Sequence, residues 1–545
     1  MNQQSLGEIL PAERIQAMVA AGHWRNESWS AFFDDSVRHA PQKVAIVSFN
    51  SVHQTTERLT YAELGTVVDR LVWGMAELGI GPGSTVSIQL PSWWQFIAIK
   101  LACARLGAAI NPIMPTARQQ DLRHALGLTS AQLLFVPRVF RNNRYETLIA
   151  EIRDDLPDLR HVVVVDGLGP DSFHGLPDTK TRRSAAASAP LDPDCVAEIM
   201  FTSGTTGEPK GVMHTWNTLI ASTRSFAQRL ALGSRDVIFM GSPLAHQTGF
   251  LWGSTLPIFL GATVVLLDIW NPETAIELIA QERATFSVSA PTFLTDILGV
   301  YERGETQGST LRTFLLAGAP VPRVLVQRAA ERLGVGIASA WGMTEVALPT
   351  ITRPSDGVEK VAGSDGCPVE GAEIRVVDAT GRVLGPGLEG RLEARGAFNF
   401  VGYLKRPELY ATDKDGWFDT GDLAYIDGDG YVRITGRTKD IVIRGGEKIP
   451  VVEVENALYR HPAIADVAVV ATPDQRLGER ACACVTLREG TTLNFEEMVR
   501  FLTEAGLTKT YFPERLEIIS EMPRTASGKI QKFQLRSRFA NAATS

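Results

Sequence analysis

Cysteine is scarce in this chain: Cys103, Cys195, Cys367, Cys482 and Cys484 are five thiols among 545 residues. So few and scattered cysteines exclude a disulfide-built scaffold and predict a reduced, cytoplasmic setting. Cys482 and Cys484 alternate within Ala-Cys-Ala-Cys-Val, which puts both on one face of a strand. Two thiols alone make a poor metal site, and they read as core. Long apolar runs are also missing, since none reaches the roughly 18 residues that span a bilayer. The longest candidate, Leu256 to Leu267, is broken by Pro257 and Gly261 and reads as buried strand and turn. The opening Met-Asn-Gln-Gln-Ser lacks the basic and apolar regions of a secretory signal. Nor is there an excess of positive charge: 54 Lys and Arg face 61 Asp and Glu, a formal net charge of −7. That balance gives no electrostatic basis for binding nucleic acid or an anionic membrane. No internal repeat or low-complexity tract is visible.

What remains is the composition of an ordinary globular protein, 44% hydrophobic and 21% charged. A chain of 545 residues exceeds what one core holds, so more than one domain is expected. Val44 to Phe49 reads as a buried strand. Thr60-Tyr61-Ala62-Glu63 is a capping box before a helical apolar stripe that Gly79, Gly81, Pro82 and Gly83 end. Those glycines follow a helix and do not match Gly-x-Gly-x-x-Gly, so no dinucleotide site is implied. Alternation continues through the helix Pro272–Gln281 and the strand Phe286–Ser289, which argues for an α/β fold with mostly parallel strands. Near Gly436 the pattern changes to strand pairs and two helices, a compact α+β unit of its own. The expected division is 1–436 and 437–545, with the boundary inside Gly436–Asp440. Ser184 to Pro190 reads as a loop of small residues within the first unit.

Residues Thr202 to Val212 read Thr-Ser-Gly-Thr-Thr-Gly-Glu-Pro-Lys-Gly-Val. Glycine lets backbone N–H groups approach a ligand closely, and successive N–H groups in a turn form an anion cradle. Hydroxyls of Thr202, Ser203, Thr205 and Thr206, with the ammonium of Lys210, add charge-matched donors around Gly204 and Gly207. A phosphate site is the reading. A P-loop ends in Gly-Lys-Ser/Thr, and Pro209-Lys210-Gly211 does not.

Four later segments are Ala340-Trp341-Gly342-Met343-Thr344-Glu345, Gly416 to Asp422, Gly436 to Asp440 with Arg444 to Glu447, and Pro523 to Ile530. In order and spacing, together with the Thr202–Val212 loop, they resemble the adenylate-forming enzymes: acyl-CoA synthetases, luciferases and peptide-synthetase adenylation domains. The resemblance implies a large N-terminal domain of layered sheets and helices and a small mobile C-terminal domain. It implies three substrates, ATP, a carboxylic acid and coenzyme A, with Mg²⁺. A carboxylate is a poor electrophile, and attack on the α-phosphate of ATP converts one of its oxygens into a good leaving group. Such a reaction needs positioning and charge neutralisation more than proton transfer.

By that resemblance, the Thr202–Lys210 loop holds the β- and γ-phosphates. Thr344 contacts the α-phosphate, and Glu345 holds Mg²⁺. Gly318-Ala319-Pro320 lines the adenine, with Trp341, Gly342 and Met343 beside it. Trp341 stands where the family usually has tyrosine or phenylalanine, and its indole still offers a stacking face. Asp422 accepts from the ribose hydroxyls and Arg437 assists. Lys529 bridges the acid and the α-phosphate. Lys439 is the expected hinge, about which the small domain brings in either Lys529 or the Gly445-Gly446 turn beside the thiol tunnel.

His246 stands between the expected tunnel and an acyl pocket of Thr248, Phe250, Leu251 and Trp252. No aspartate for a substrate ammonium occurs between Ser242 and Pro257, which disfavours an amino acid. The stretch resembles short- and medium-chain acyl-CoA synthetases and cyclohexanecarboxylate–CoA ligases. With no carrier domain after Lys529, free coenzyme A is the expected acceptor. Transfer to a separate carrier protein, a benzoate-type ligase and a non-catalytic nucleotide binder are the alternatives. Monomer and homodimer both stay open.

Overall fold

The computed structural model describes residues 10–169, 172–176, 192–202, 209–304, 309–445, 447–525 and 528–540. Ser184–Pro190, Ser203–Gly207, Gly446 and Ala526-Ser527 therefore lie outside the described residues. A nine-stranded sheet runs Cys367–Pro368, Ala347–Ile351, Gly336–Met343, Thr313–Leu316, Phe286–Ser289, Val237–Met240, Thr263–Leu267, Val44–Asn50, Thr55–Thr60. From Gly336–Met343 through Val44–Asn50 its strands are parallel. Such strands are covered by helices on both faces, which explains why Phe286–Ser289 is buried at every position. A seven-stranded sheet, parallel around Thr85–Ile88, carries the antiparallel pair Val196–Thr202 and Lys210–Thr215 near one edge. A third, antiparallel sheet joins Ala372–Val377, Gly390–Gly396, Phe418–Ile426 and Val432–Arg437.

Local signals explain several elements. Thr60 and Glu63 exchange both bonds of the capping box at the start of the helix Tyr61–Glu77. Asn271 caps Pro272–Gln281, whose proline sits in the first turn, where its missing N–H costs nothing. One expectation fails. Leu256–Leu260 is a helix, not a strand, and it continues a π-helical turn over Gly249–Thr255. Pro257 falls at the join of the two helical forms, and Gly261 closes the helix at φ +62. Strand structure begins only at Thr263.

The strand Val432–Arg437 still pairs within the third sheet, whereas Val442–Arg444 belongs to a separate one. This last sheet combines Glu447–Ile449, Val442–Arg444, Gly478–Leu487 and Ile464–Asp474, with Arg515–Ile518 alongside. With the helices Val451–Leu458 and Phe495–Glu504 it encloses a core of its own. Cys482 and Cys484 are buried against Met522 and Leu535 beneath it, and no disulfide joins any of the five cysteines. Among the described residues no helix is long and apolar enough to cross a membrane.

Candidate active site

The site forms at the carboxyl ends of the parallel strands Thr313–Leu316 and Gly336–Met343, where open α/β sheets bind ligands. Gly318, at φ +85, turns the chain into Ala319-Pro320. Gly342 has no room for a side chain, because a Cβ there would run into the Ala347 carbonyl. The tight reversal that follows places Thr344 and Glu345 in a turn between two strands. Buried His214 faces the Thr344 carbonyl through Nε2 at 2.7 Å. Burial lowers its pKa to about 4, so the ring is neutral and a carbonyl partner fixes the proton on Nε2. The Phe400 N–H donates to the Glu345 carbonyl at 2.7 Å. Both backbone positions are thereby pinned.

Around that turn, charges are arranged in pairs. The Tyr403 hydroxyl donates to Glu345 Oε1 at 2.9 Å, and Lys210 Nζ lies 4.7 Å from the Tyr403 ring. Burial raises the Glu345 pKa, opposed by the Tyr403 bond and by the charges of Arg437 and Lys210. Asp422 and Arg437 are directly opposed across two antiparallel strands. Arg437 Nε donates to Asp422 Oδ1 at 2.7 Å, and Trp341 Nε1 donates to Oδ2 at 2.8 Å. Each oxygen keeps a free lone pair, which is what two ribose hydroxyls need. Thr202 stands opposite Lys210 in the strand pair, where Lys210 approaches the Tyr403 ring.

A cavity of about 1160 Å³ opens between the two parts of the chain. Gly318, Ala319, Pro320, Trp341, Gly342, Asp422 and Arg437 line it from one side, and Lys529 enters from the other. The Arg437 charge, then burial, lowers the Lys529 pKa to about 8. Burial, then the Lys529 charge, lowers that of His246 to about 4. The structure thus gathers the expected adenine residues other than Met343, with the ribose and lysine residues, at one place. Lys439 is exposed in the turn after Arg437, and Asp440 beside it pairs with Arg536 at 2.7 Å. Gly445, at φ +58, does not line the cavity.

Thr248, Phe250, Leu251 and Trp252 do not line it either. Phe250, Leu251 and Trp252 are buried, with Trp252 stacked on Phe226 at 3.8 Å between ring centres. Four residues that sequence reasoning did not single out are Tyr403, His214, Lys100 and Glu198. Lys100 Nζ is fully buried and donates to the Phe250 carbonyl at 3.0 Å, Ser254 at 2.9 Å and Thr255 at 2.6 Å. Its ammonium also sits 3.4 Å from the Phe250 ring centre. Burial holds the Lys100 pKa well below the usual lysine value and lifts that of Glu198 to about 8, each resisting the other's shift. A lysine in an apolar helix and a glutamate in an apolar strand were the available signals.

The chain belongs to the AMP-binding enzyme family, which matches residues 33–404, with the AMP-binding enzyme C-terminal domain matching 453–529. Among its relatives is the medium-chain fatty-acid–CoA ligase of Escherichia coli (strain K12). The two are 38% identical over 529 residues, covering 96% of this chain and 92% of that protein. The solved structure of the anthranilate CoA ligase AuaEII in complex with anthranoyl-AMP superposes at a TM-score of 0.86 with 25% identity. That match covers 95% of this chain and 98% of the other. ATP-bound MatB from Rhodopseudomonas palustris gives 0.81 with 26% identity, over 94% and 99%.

Proposed function

We propose that the protein is an AMP-forming carboxylate–CoA ligase acting on a short- or medium-chain or alicyclic acid. An acid oxygen attacks the α-phosphate of ATP, releasing pyrophosphate and leaving an acyl-adenylate. The coenzyme A thiolate then attacks the acyl carbon, releasing AMP and leaving a thioester. The observation that carries this reading is the meeting of Lys529 with the Asp422–Arg437–Trp341 cluster in one cavity. Asp422 would take the ribose hydroxyls, Gly318–Pro320 the adenine, and Lys529 the charge that grows between acid and α-phosphate. Thr202 and Lys210 flank the loop that would hold the β- and γ-phosphates. Glu345 fits Mg²⁺: it is a buried carboxylate bonded to Tyr403, whose ring Lys210 approaches, and that ion takes its other ligands from phosphates and water. When bound, the ion would neutralise phosphate charge. His246, neutral beside Lys529, would border the acyl group, with Phe250 and Trp252 behind it.

We place a division near Gly436–Asp440 with Lys439 as its hinge, and a second pose in which the Gly445-Gly446 turn faces the thiol. The family name and likeness of the Escherichia coli ligase support coenzyme A as acceptor and a medium-chain acid. The likeness to AuaEII keeps an aryl acid as a second reading. Cysteines that form no disulfide fit a cytoplasmic setting. The test is a coenzyme-A-dependent AMP-release screen over linear acids of increasing length, alicyclic acids and benzoates. A maximum among six- to ten-carbon linear or alicyclic acids is expected, on the order of 10-fold over benzoates for the apolar contacts involved. A maximum with benzoates would transfer the reading to the aryl class, and no acid-dependent release would end it.

A further inference from the structure

The turn that carries Lys529 is tied firmly to its own part of the molecule. The Gly528 N–H donates to the Thr525 carbonyl at 2.9 Å, and the Thr525 N–H to the Lys529 carbonyl at 2.8 Å. Arg524 and Ile530 bridge its two ends. The Arg524 guanidinium donates to the Gly528 carbonyl and pairs with Asp466, which also accepts from the Tyr459 hydroxyl. With its ends bridged and both backbone groups of Gly528 bonded, the chain at Gly528 is held within its own part of the molecule.

Its outer surface meets the start of the helix Pro291–Glu302, which belongs to the other part of the chain. Gly528 stands at φ +86, and a Cβ there would lie 2.5 Å from Thr292 Oγ1, 3.3 Å from Phe293 and 3.4 Å from Ala290. Rotating Thr292 brings little relief, because a β-branched side chain offers another heavy atom in most orientations. Thr292 Oγ1 is buried and has no hydrogen-bond partner among the described residues. The contact is therefore one of shape and not of polar bonding. It lies one residue from Lys529, which lines the cavity together with Thr292.

We propose that Gly528 is the seating residue of the adenylating pose, its missing Cβ admitting the Lys529 turn against Thr292. The inference rests on the role assigned above to Lys529. Strain from the left-handed backbone of Gly528 belongs to the turn itself and is present in any pose. The collision with Thr292 exists only when the turn is docked. A substitution at Gly528 thus penalises the first half-reaction and spares the second.

The test compares acid-dependent ATP–pyrophosphate exchange with thioester formation from supplied acyl-adenylate and coenzyme A. Gly528→Ala lowers exchange by about 30-fold, the rate equivalent of overpacking a tight contact, and changes thioester formation by no more than about 3-fold. Adding Thr292→Ala restores exchange by about 10-fold. Thr292→Leu, with the Lys529 turn unaltered, reproduces the selective loss and serves if Gly528→Ala misfolds. Equal loss of both half-reactions, absence of recovery in the double variant, or full exchange in Thr292→Leu overturns the proposal. Lys529→Ala run in parallel separates the two claims. If it loses both half-reactions equally, the reading of Lys529 fails. If it loses exchange alone while Gly528→Ala loses both or neither, only the seating role fails.

Discussion

Arg437 holds Asp422 with one nitrogen, and its charge, with burial, lowers the Lys529 pKa to about 8. In the role proposed for it, Lys529 would act protonated, neutralising the phosphate, so this pairing would set the pH range of the chemistry. The kcat/KM for ATP in adenylate formation should therefore fall as pH rises through about 8. Arg437→Gln removes the first cause of the depression and moves that falling limb upward, whatever it does to the height of the profile. A limb that stays in place would detach Lys529 from Arg437. Stability has the opposite sign. A lysine with a lowered folded pKa binds fewer protons than in the unfolded chain, so its contribution improves as pH climbs from about 8 toward the ordinary lysine value. The meeting of Asp422, Arg437 and Lys529 in one cavity was foreseen because each lies in a segment that resembles the adenylate-forming enzymes. Tyr403 was not. It reaches Glu345 from a two-residue strand 58 positions away, and nothing in Gly402-Tyr403-Leu404 announces a carboxylate partner.

Among the elements, the helical patterns with clear caps were read well, and the segment from Gly249 to Leu260 was not. Pro257 and Gly261 are strong breakers in an isolated stretch, yet here the wide π turn ahead of the proline lets the helix run on. That turn is braced from outside by Lys100, which bonds the Phe250 carbonyl and the Ser254 and Thr255 hydroxyls. A contact between residues 150 positions apart has no local signature. Lys100→Met removes three donated bonds, at about 1 kcal/mol each, and should destabilise the fold by about 3 kcal/mol in urea denaturation followed by tryptophan fluorescence. Glu198→Gln keeps a neutral group where burial lifts the carboxyl pKa to about 8, and should move the midpoint little at pH 7. An unchanged midpoint in Lys100→Met would show that the turn does not depend on this brace.

For the whole molecule, the layered α/β architecture followed from alternating apolar patterns, and the small C-terminal unit followed from the change in texture near Gly436. The sheets themselves were not foreseeable in number or order. A strand such as Val44–Asn50 pairs with Thr263–Leu267 more than 200 residues later, a choice made by packing and not by its own sequence. The same long-range assembly creates the cavity, which neither part of the chain could enclose alone. Division of labour between two poses is the central claim, and Lys529→Ala tests it most directly. Acid-dependent ATP–pyrophosphate exchange should fall by about 100-fold or more, as for removal of a charge that acts only in the transition state. Thioester formation from supplied acyl-adenylate and coenzyme A should persist within about 3-fold of the unaltered protein. Parallel loss of both activities, or exchange at the original rate, would contradict it.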